Sequence, residues 1–439
     1  VTSQSSETIL ILGAGLTGLT AAYYLSQQGY RPTLLDCPSW QDGFQSDPFD
    51  AAPMLFGRHR ETRRLLGMLN GRTPGQIGTS LPIEFAIPDG HVVAYRSAHL
   101  PGALQWMMSL FSFHGLAWHD RWTLFSHLEQ IWEQAQTLPA DLESRVADDW
   151  LTSIGQSQNA REHIWAPLAQ WLTGNALARL SAATFVRLLS TIFLGQAADA
   201  RLTHVDGTMS DRFLMPMRSA LQQRGVRFRP EPRPPDLRFG QEGISGLRLH
   251  DGSLLRAQWY ISGLSHQKLL PLLPEHLLTR YAYFAHLSEL ETLPEIAVRF
   301  AYRTDAPRPR LLLLAGRPFQ QLTMTATHST EISCRLSAIG NPALMELDRD
   351  QLLDLGHREL HALVPELKQG DQRPGEISRD DQAALSLRPG AALFRPIQQS
   401  PFKNLLIAGA WTDTGWPANV ESAVVSARRC AEIIASHPA

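Results

Sequence analysis

Cysteine is scarce in this chain, with Cys37, Cys334 and Cys430 its only three. They are odd in number, far apart and never in a Cys-x-x-Cys pair, which argues against a disulfide scaffold or a thiolate metal centre. A reducing cytoplasm is the compartment this usage suits. A charge excess is missing too: 40 basic against 42 acidic residues leave a net charge of −2, so nucleic acid has no electrostatic footprint as a partner. Residues 1–7 lack the basic-then-apolar order of a secretory signal. No uncharged apolar run suits a spanning helix of roughly 20 residues. The nearest stretch, Leu100 to Trp118, is broken by Pro101, Gly102, Gln105 and His114. It reads as a buried helix pair. The alternative is an apolar face resting on a membrane, with Trp106, Met107, Met108, Phe111 and Trp118 meeting lipid. Repeats and low-complexity tracts are absent as well.

What is present is a chain of 439 residues, 44% apolar and 19% charged. That is too long for one ordinary core and predicts two domains. The most informative stretch comes first. Ile9 to Leu12 reads as a buried parallel strand, followed by Gly13-Ala14-Gly15-Leu16-Thr17-Gly18 and a small-residue helix from Leu19 to Gln27. A second apolar strand, Pro32 to Leu35, ends on Asp36. In a dinucleotide fold Gly13 permits the tight turn, Gly15 admits a pyrophosphate, and Gly18 brings helix and sheet together. The helix N-terminus offers N–H groups and partial positive charge to phosphates, and Asp36 is placed for a ribose diol.

Helical periodicity dominates residues 98–204, as expected of an inserted substrate domain. Strand patterns return near 205, including a hairpin of Gly243–Leu249 with Leu254–Ile261 about Asp251–Gly252. Further strands are expected at Glu295–Ala301, Arg310–Ala315 and Ile332–Ser337, with a helix over Gln351–Leu363. Near the end, the apolar strand closing at Gly409 precedes the turn Ala410-Trp411-Thr412-Asp413-Thr414-Gly415-Trp416-Pro417-Ala418-Asn419 and a helix from Val420. Such a helix N-terminus can face an electron-rich ring edge. His357 and His361 share a helix face, but Arg358 breaks any His-Glu-x-x-His match, so no metal site is expected. Gly263-Leu264-Ser265-His266-Gln267 lacks the final glycine of a nucleophile elbow.

With GAGLTG at one end and LLIAGAWTDTGWPANVESAVVSARRCAEII at the other, the chain resembles the FAD-dependent amine oxidase superfamily. Within it, Gly57-Arg58-His59-Arg60-Glu61-Thr62, Asp148-Asp149-Trp150-Leu151 and Asp211-Arg212-Phe213-Leu214 resemble the hydroxysqualene dehydroxylase and carotenoid (phytoene) desaturase branch. The resemblance implies an α/β fold: a Rossmann-type FAD-binding domain of the GR2 flavoprotein type, with a discontinuous substrate domain, largely helical plus mixed sheet. The FAD domain is expected from 1–97, 205–264 and 376–439, and the substrate domain from 98–204 and 265–375. FAD would be held by Gly13, Ala14, Gly15, Leu16, Thr17, Gly18 and Asp36 at its adenine end. Gly409, Ala410, Pro417, Asn419 and Val420 would serve the flavin end.

Three departures stand out. Asp42-Gly43-Phe44 replaces the family's Gly-Gly-Arg, Gly409-Ala410 replaces Gly-Asp, and Pro234 stands where a valine N–H usually meets adenine. The resemblance implies an oxidoreductase acting on an apolar polyisoprenoid, with hydroxysqualene dehydroxylation first and a carotenoid or phytoene desaturase or isomerase as the alternative. The departures leave open a pseudo-enzyme serving as a binding or assembly subunit. Asp413 and Arg60 are candidate catalytic groups, with a turn residue and a surface ion pair as their structural readings.

Overall fold

The computed structural model describes residues 9–437 except 41–51, 72–76, 99, 101–102, 134–137, 241–242, 304–307, 329 and 370–372. Asp42, Gly43 and Phe44 therefore lie outside the described residues. Ile9–Leu12 is buried along its whole length because it is the central strand of a five-stranded parallel sheet. Its neighbours are Thr33–Asp36 on one side and Trp259–Ser262 on the other; Arg227–Pro230 and Leu405–Ile407 complete the edges. Alternate residues feed two cores. Ile9 and Ile11 pack with the helices Leu16–Gln27, Met215–Gln223 and Val420–Ser436, while Leu10 and Leu12 face the larger core shared with the helical region. A parallel strand covered on both faces needs such an unbroken apolar run.

The first helix begins at Leu16 rather than Leu19, with Gly15 as its extended cap residue. The second motif half therefore lies inside the first helical turn, where its N–H groups are free of helix partners. The expected hairpin is also revised. Ile244–Arg248 pairs with the short strand Leu254–Leu255, and the chain then crosses to the parallel sheet as Trp259–Ser262, setting Tyr260 against Leu10. The physical reason is burial: Tyr260, Ile261 and Ser262 are fully buried between neighbouring strands and helices, whereas the hairpin strand Leu254–Leu255 is exposed to half-buried.

A second, seven-stranded sheet runs in the order Glu376–Leu385, Thr292–Arg303, Glu331–Ile339, Gln321–His328, Arg310–Leu314, Ile83–Ala86, Val92–Tyr95. Ile83–Ala86 and Val92–Tyr95, expected within the 1–97 segment of the FAD domain, hydrogen-bond into this sheet instead. Glu376–Leu385, expected in the 376–439 segment, is its far edge. Alternation in sequence marks a strand but not its partner, and these partners lie far away in the chain. The described part of residues 98–204 is mainly helical up to Leu202–His204, which joins Met54–Phe56 and Thr79–Leu81 in a small antiparallel sheet.

Candidate active site

At the N-terminal motif three glycines interlock. Gly13 has φ 92°, and its N–H donates to Leu35 O at 2.8 Å. A Cβ on Gly18 would fall 1.9 Å from Gly13 O, and one on Gly263 would fall 2.9 Å from Gly18 N. Gly263, dismissed in sequence as part of a failed nucleophile elbow, is thus a packing partner of the nucleotide loop. No local signal marks that role. Ala14 and Thr17 are buried, while Gly15 and Leu16 are partly open at the helix start. Asp36 ends the second strand with its side chain 23% exposed, and Arg218 Nη2 stands 3.5 Å from its Oδ2. Beside it is Glu231, whose N–H donates to Asp36 O at 2.7 Å. The Glu231 carboxylate is buried and accepts from Arg229 Nε at 2.7 Å and faces His250 Nδ1 at 2.8 Å. Pro234 lies beyond the end of Arg227–Pro230, half-buried.

The C-terminal motif lies at the end of the parallel strand Leu405–Ile407, next in the sheet to Trp259–Ser262. Gly409 N–H donates to Ser426 Oγ at 3.0 Å, and a Cβ on Gly409 would meet Trp411 Nε1 at 2.4 Å. The indole N–H of Trp411 donates to Leu264 O at 3.0 Å, so the two motifs are tied through residues 263–264. Ser422 Oγ donates to Ala410 O at 2.7 Å, which leaves Thr414 Oγ1 as donor in their 2.6 Å contact. Asn419 caps the last helix through Ser422 N–H at 2.9 Å; Pro417 is buried and Val420 half-buried. Asp413 is exposed, and its Oδ1 accepts from Gly415 N–H at 3.2 Å, the geometry of a turn-forming aspartate. It lines a cleft of about 330 Å³ with Trp416, Arg187 and Leu393. Arg60 lies apart from this cleft, 57% exposed, with Nη2 3.3 Å from the buried Asp199.

Three side chains given no individual role in sequence organise the region. Arg395 donates to four carbonyls of the motif turn. Glu421, buried at the start of the last helix, accepts from Glu61 N–H at 3.1 Å, Thr62 N–H at 2.9 Å and Thr62 Oγ1 at 2.6 Å. It thereby caps the helix Arg60–Asn70 from a distant part of the chain. His59, just before that helix, is buried with its ring edge-on to Phe56 at 5.6 Å and Trp416 at 5.0 Å. Burial, helped by the Arg63 charge, pushes its pKa down to about 3, so the imidazole is neutral. The only sequence signal for these residues is polar side chains inside otherwise ordinary surroundings.

Phe56 continues the aromatic line to Phe193 at 6.0 Å. Phe193 forms part of the wall of a cavity of about 80 Å³, lined also by Phe85, Tyr95, Trp106, Phe113 and Leu189. No charged side chain lines it. Burial raises the Tyr95 pKa to about 12, so that residue is neutral as well. A line of packed rings, Phe193, Phe56, His59 and Trp416, thus runs from the cavity wall to the C-terminal motif.

Residues 16–435 match the family described as flavin containing amine oxidoreductase. The chain belongs to that family. It is an FAD-dependent oxidoreductase, and curated carotene desaturases are among the proteins it is similar to. The 15-cis-phytoene desaturase of Solanum lycopersicum is 23% identical over 97% of this chain and 77% of its own length. The probable zeta-carotene desaturase of Synechococcus elongatus is 22% identical over 97% and 98% of the two chains. Among solved structures, an oxidoreductase from Methanosarcina mazei superposes with TM-score 0.71 at 12% identity, covering 97% of this chain and all of its own. Cyclohexylamine oxidase from Brevibacterium oxydans gives 0.67 at 16%, covering 98% of this chain and 99% of its own. These likenesses establish the shared fold. The glycine cradle, the N–H groups of the first helical turn and the carboxylate of Asp36 at the end of the second strand fit the dinucleotide half of FAD.

Proposed function

We propose that this amine oxidoreductase desaturates a long apolar isoprenoid of the phytoene or zeta-carotene class. The observation that carries the reading is the charge-free aromatic cavity whose wall residue Phe193 packs through Phe56 and His59 against Trp416 of the C-terminal motif. The named activities of its curated relatives, phytoene and zeta-carotene desaturation, support the desaturase alternative over hydroxysqualene dehydroxylation. FAD would be held by residues 13–18, Asp36 and the 409–420 segment, and when bound it supplies hydride acceptance. The chain's own contribution is to bind and orient a hydrocarbon and to exclude water. Neutral His59 and Tyr95 suit that task, because neither places a charge beside a polyene. The test is anaerobic incubation in separate vesicle preparations: protein loaded with oxidised flavin receives phytoene or zeta-carotene, and protein whose flavin has been reduced with dithionite receives hydroxysqualene. Flavin bleaching with a longer conjugated product is expected from a carotene. Turnover of hydroxysqualene alone would overturn the reading.

Such a substrate resides in lipid, and the surface near the cavity is suited to meet it. Trp118 is 67% exposed, Trp122 56% and Met108 51%, and Phe111 contacts both tryptophans at 5.4 and 6.2 Å. Of the five residues considered for lipid contact, Trp118 and Met108 are exposed and Met107 and Phe111 half-buried, whereas Trp106 is buried in the cavity wall because its ring packs against the core; Trp122 is an addition from the structure. Among the described residues no helix is long and apolar enough to cross a membrane. Replacing Trp118 and Trp122 together by alanine is expected to lower vesicle co-flotation about tenfold or more while changing stability by less than about 1 kcal/mol. Undiminished flotation would place lipid contact elsewhere.

A further inference from the structure

We infer that Arg395 is the positioning residue of the flavin end: a half-buried cation that draws the carbonyls of the motif turn to one side, leaving its N–H groups and a net positive field to the cofactor in place of the carboxylate missing at Ala410. The inference rests on FAD as cofactor and not on the identity of the isoprenoid.

The geometry is specific. Nε donates to Trp411 O at 3.1 Å, Nη1 to Trp416 O at 2.6 Å, and Nη2 to Ala410 O at 3.1 Å and Thr412 O at 2.6 Å. A planar guanidinium with a fixed fork of donors can gather four carbonyls; a point-like ammonium cannot. No carboxylate lies within ion-pair distance among the described residues, so the acceptors are neutral and the charge persists. Burial lowers the Arg395 pKa to about 10, with Asp413 acting in the opposite direction, and the group is protonated at neutrality.

The consequence for the turn follows from peptide planarity. In a trans peptide the N–H points opposite to the C=O, and no peptide here is cis. The Ala410 carbonyl faces Arg395, so the Trp411 N–H in the same peptide faces away. The Gly409 carbonyl is taken by Thr412 N–H at 3.1 Å and Thr412 Oγ1 at 2.8 Å, so the Ala410 N–H faces away from those groups. Neither N–H has an acceptor among the described residues. Both are donors left for a ribityl or phosphate oxygen. A carboxylate at 410 would add an anion near Arg395; alanine keeps the field positive, which favours the more electron-rich reduced flavin.

The test compares wild type, Arg395→Gln, Arg395→Lys and Ala410→Asp. FAD is titrated into apoprotein, and the midpoint potential of each FAD-saturated protein is measured against a reference dye. Arg395→Gln is expected to bind FAD at least tenfold more weakly. Once saturated, its preference for reduced flavin falls about tenfold, a drop of about 30 mV for a two-electron couple. Arg395→Lys restores the potential but not the affinity. Ala410→Asp leaves Arg395 in place and lowers the potential in the same direction, so the inference can be judged even where Arg395→Gln does not fold. A purely structural arginine would alter thermal stability without moving the potential of the saturated protein. Wild-type potential in saturated Arg395→Gln or in Ala410→Asp overturns the inference. Failure of the wild type to take up FAD would overturn the cofactor assignment as well, whereas wild-type flavin uptake without carotene turnover would count only against the proposed substrate.

Discussion

Gly18→Ala should yield protein with little or no bound flavin and a markedly lower melting temperature. The new Cβ would fall 1.9 Å from Gly13 O and 3.0 Å from Gly13 C, both backbone atoms that no rotamer change can relieve. Either the first helix lifts from the sheet or the Gly13 turn opens. Gly13 cannot readily move, because its positive φ, its 2.8 Å bond to Leu35 O and the nearby Leu264 side chain all fix it. Overpacking of this kind costs about 3 kcal/mol. If the strain falls on the phosphate-binding turn, affinity for FAD drops by about a hundredfold. Thermal denaturation and the flavin-to-protein ratio of purified protein measure both effects. A fully flavinated variant with wild-type stability would show that the helix and turn are not coupled as described.

Glu421→Ala should be the next most damaging single change. It would leave Glu61 N–H, Thr62 N–H and the Thr62 hydroxyl without their buried acceptor. Loss of a helix cap together with a charged buried partner costs about 3 kcal/mol. The effect should reach the site, since the same helix start holds His59 against Trp416. Glu421→Gln separates capping from charge. Burial raises the Glu421 pKa, and hydrogen bonds from Thr62 and Glu61 only partly oppose it. A raised carboxyl pKa gives stability that is fully present below the ordinary carboxylate pKa and is lost as pH rises through the folded value. The glutamine variant lacks that loss, so its deficit relative to wild type should shrink as pH rises from the carboxylate range toward neutrality. Urea denaturation across that range provides the check. Parallel stability curves for the two proteins would sink the assignment of this pH dependence to Glu421.

Both predictions concern residues whose importance is unevenly visible in sequence. Gly18 is legible because it belongs to a spaced motif framed by an apolar strand and a small-residue helix. Glu421 is visible only as one acid in a C-terminal helix. Its partners lie some 360 positions earlier in the chain. Arg395 is harder still, because nothing in its neighbours distinguishes a surface arginine from one that gathers four carbonyls.

The sequence by itself determined the buried first strand, the glycine turn, Asp36 at the end of the second strand and the C-terminal strand, turn and helix, because each depends on residues within a turn or two of one another. Its periodicities also marked most helices and strands. Only the tertiary structure decided that Ile83–Ala86, Val92–Tyr95 and Glu376–Leu385 join the seven-stranded sheet, and that Trp259–Ser262 leaves its hairpin for the parallel one. It alone brought Gly263 against Gly18, Glu421 to the Arg60–Asn70 helix and the aromatic cavity to His59. Backbone conformation and amphipathic pattern are written locally, whereas strand partners, caps supplied from afar and buried charge depend on which distant segments share a core.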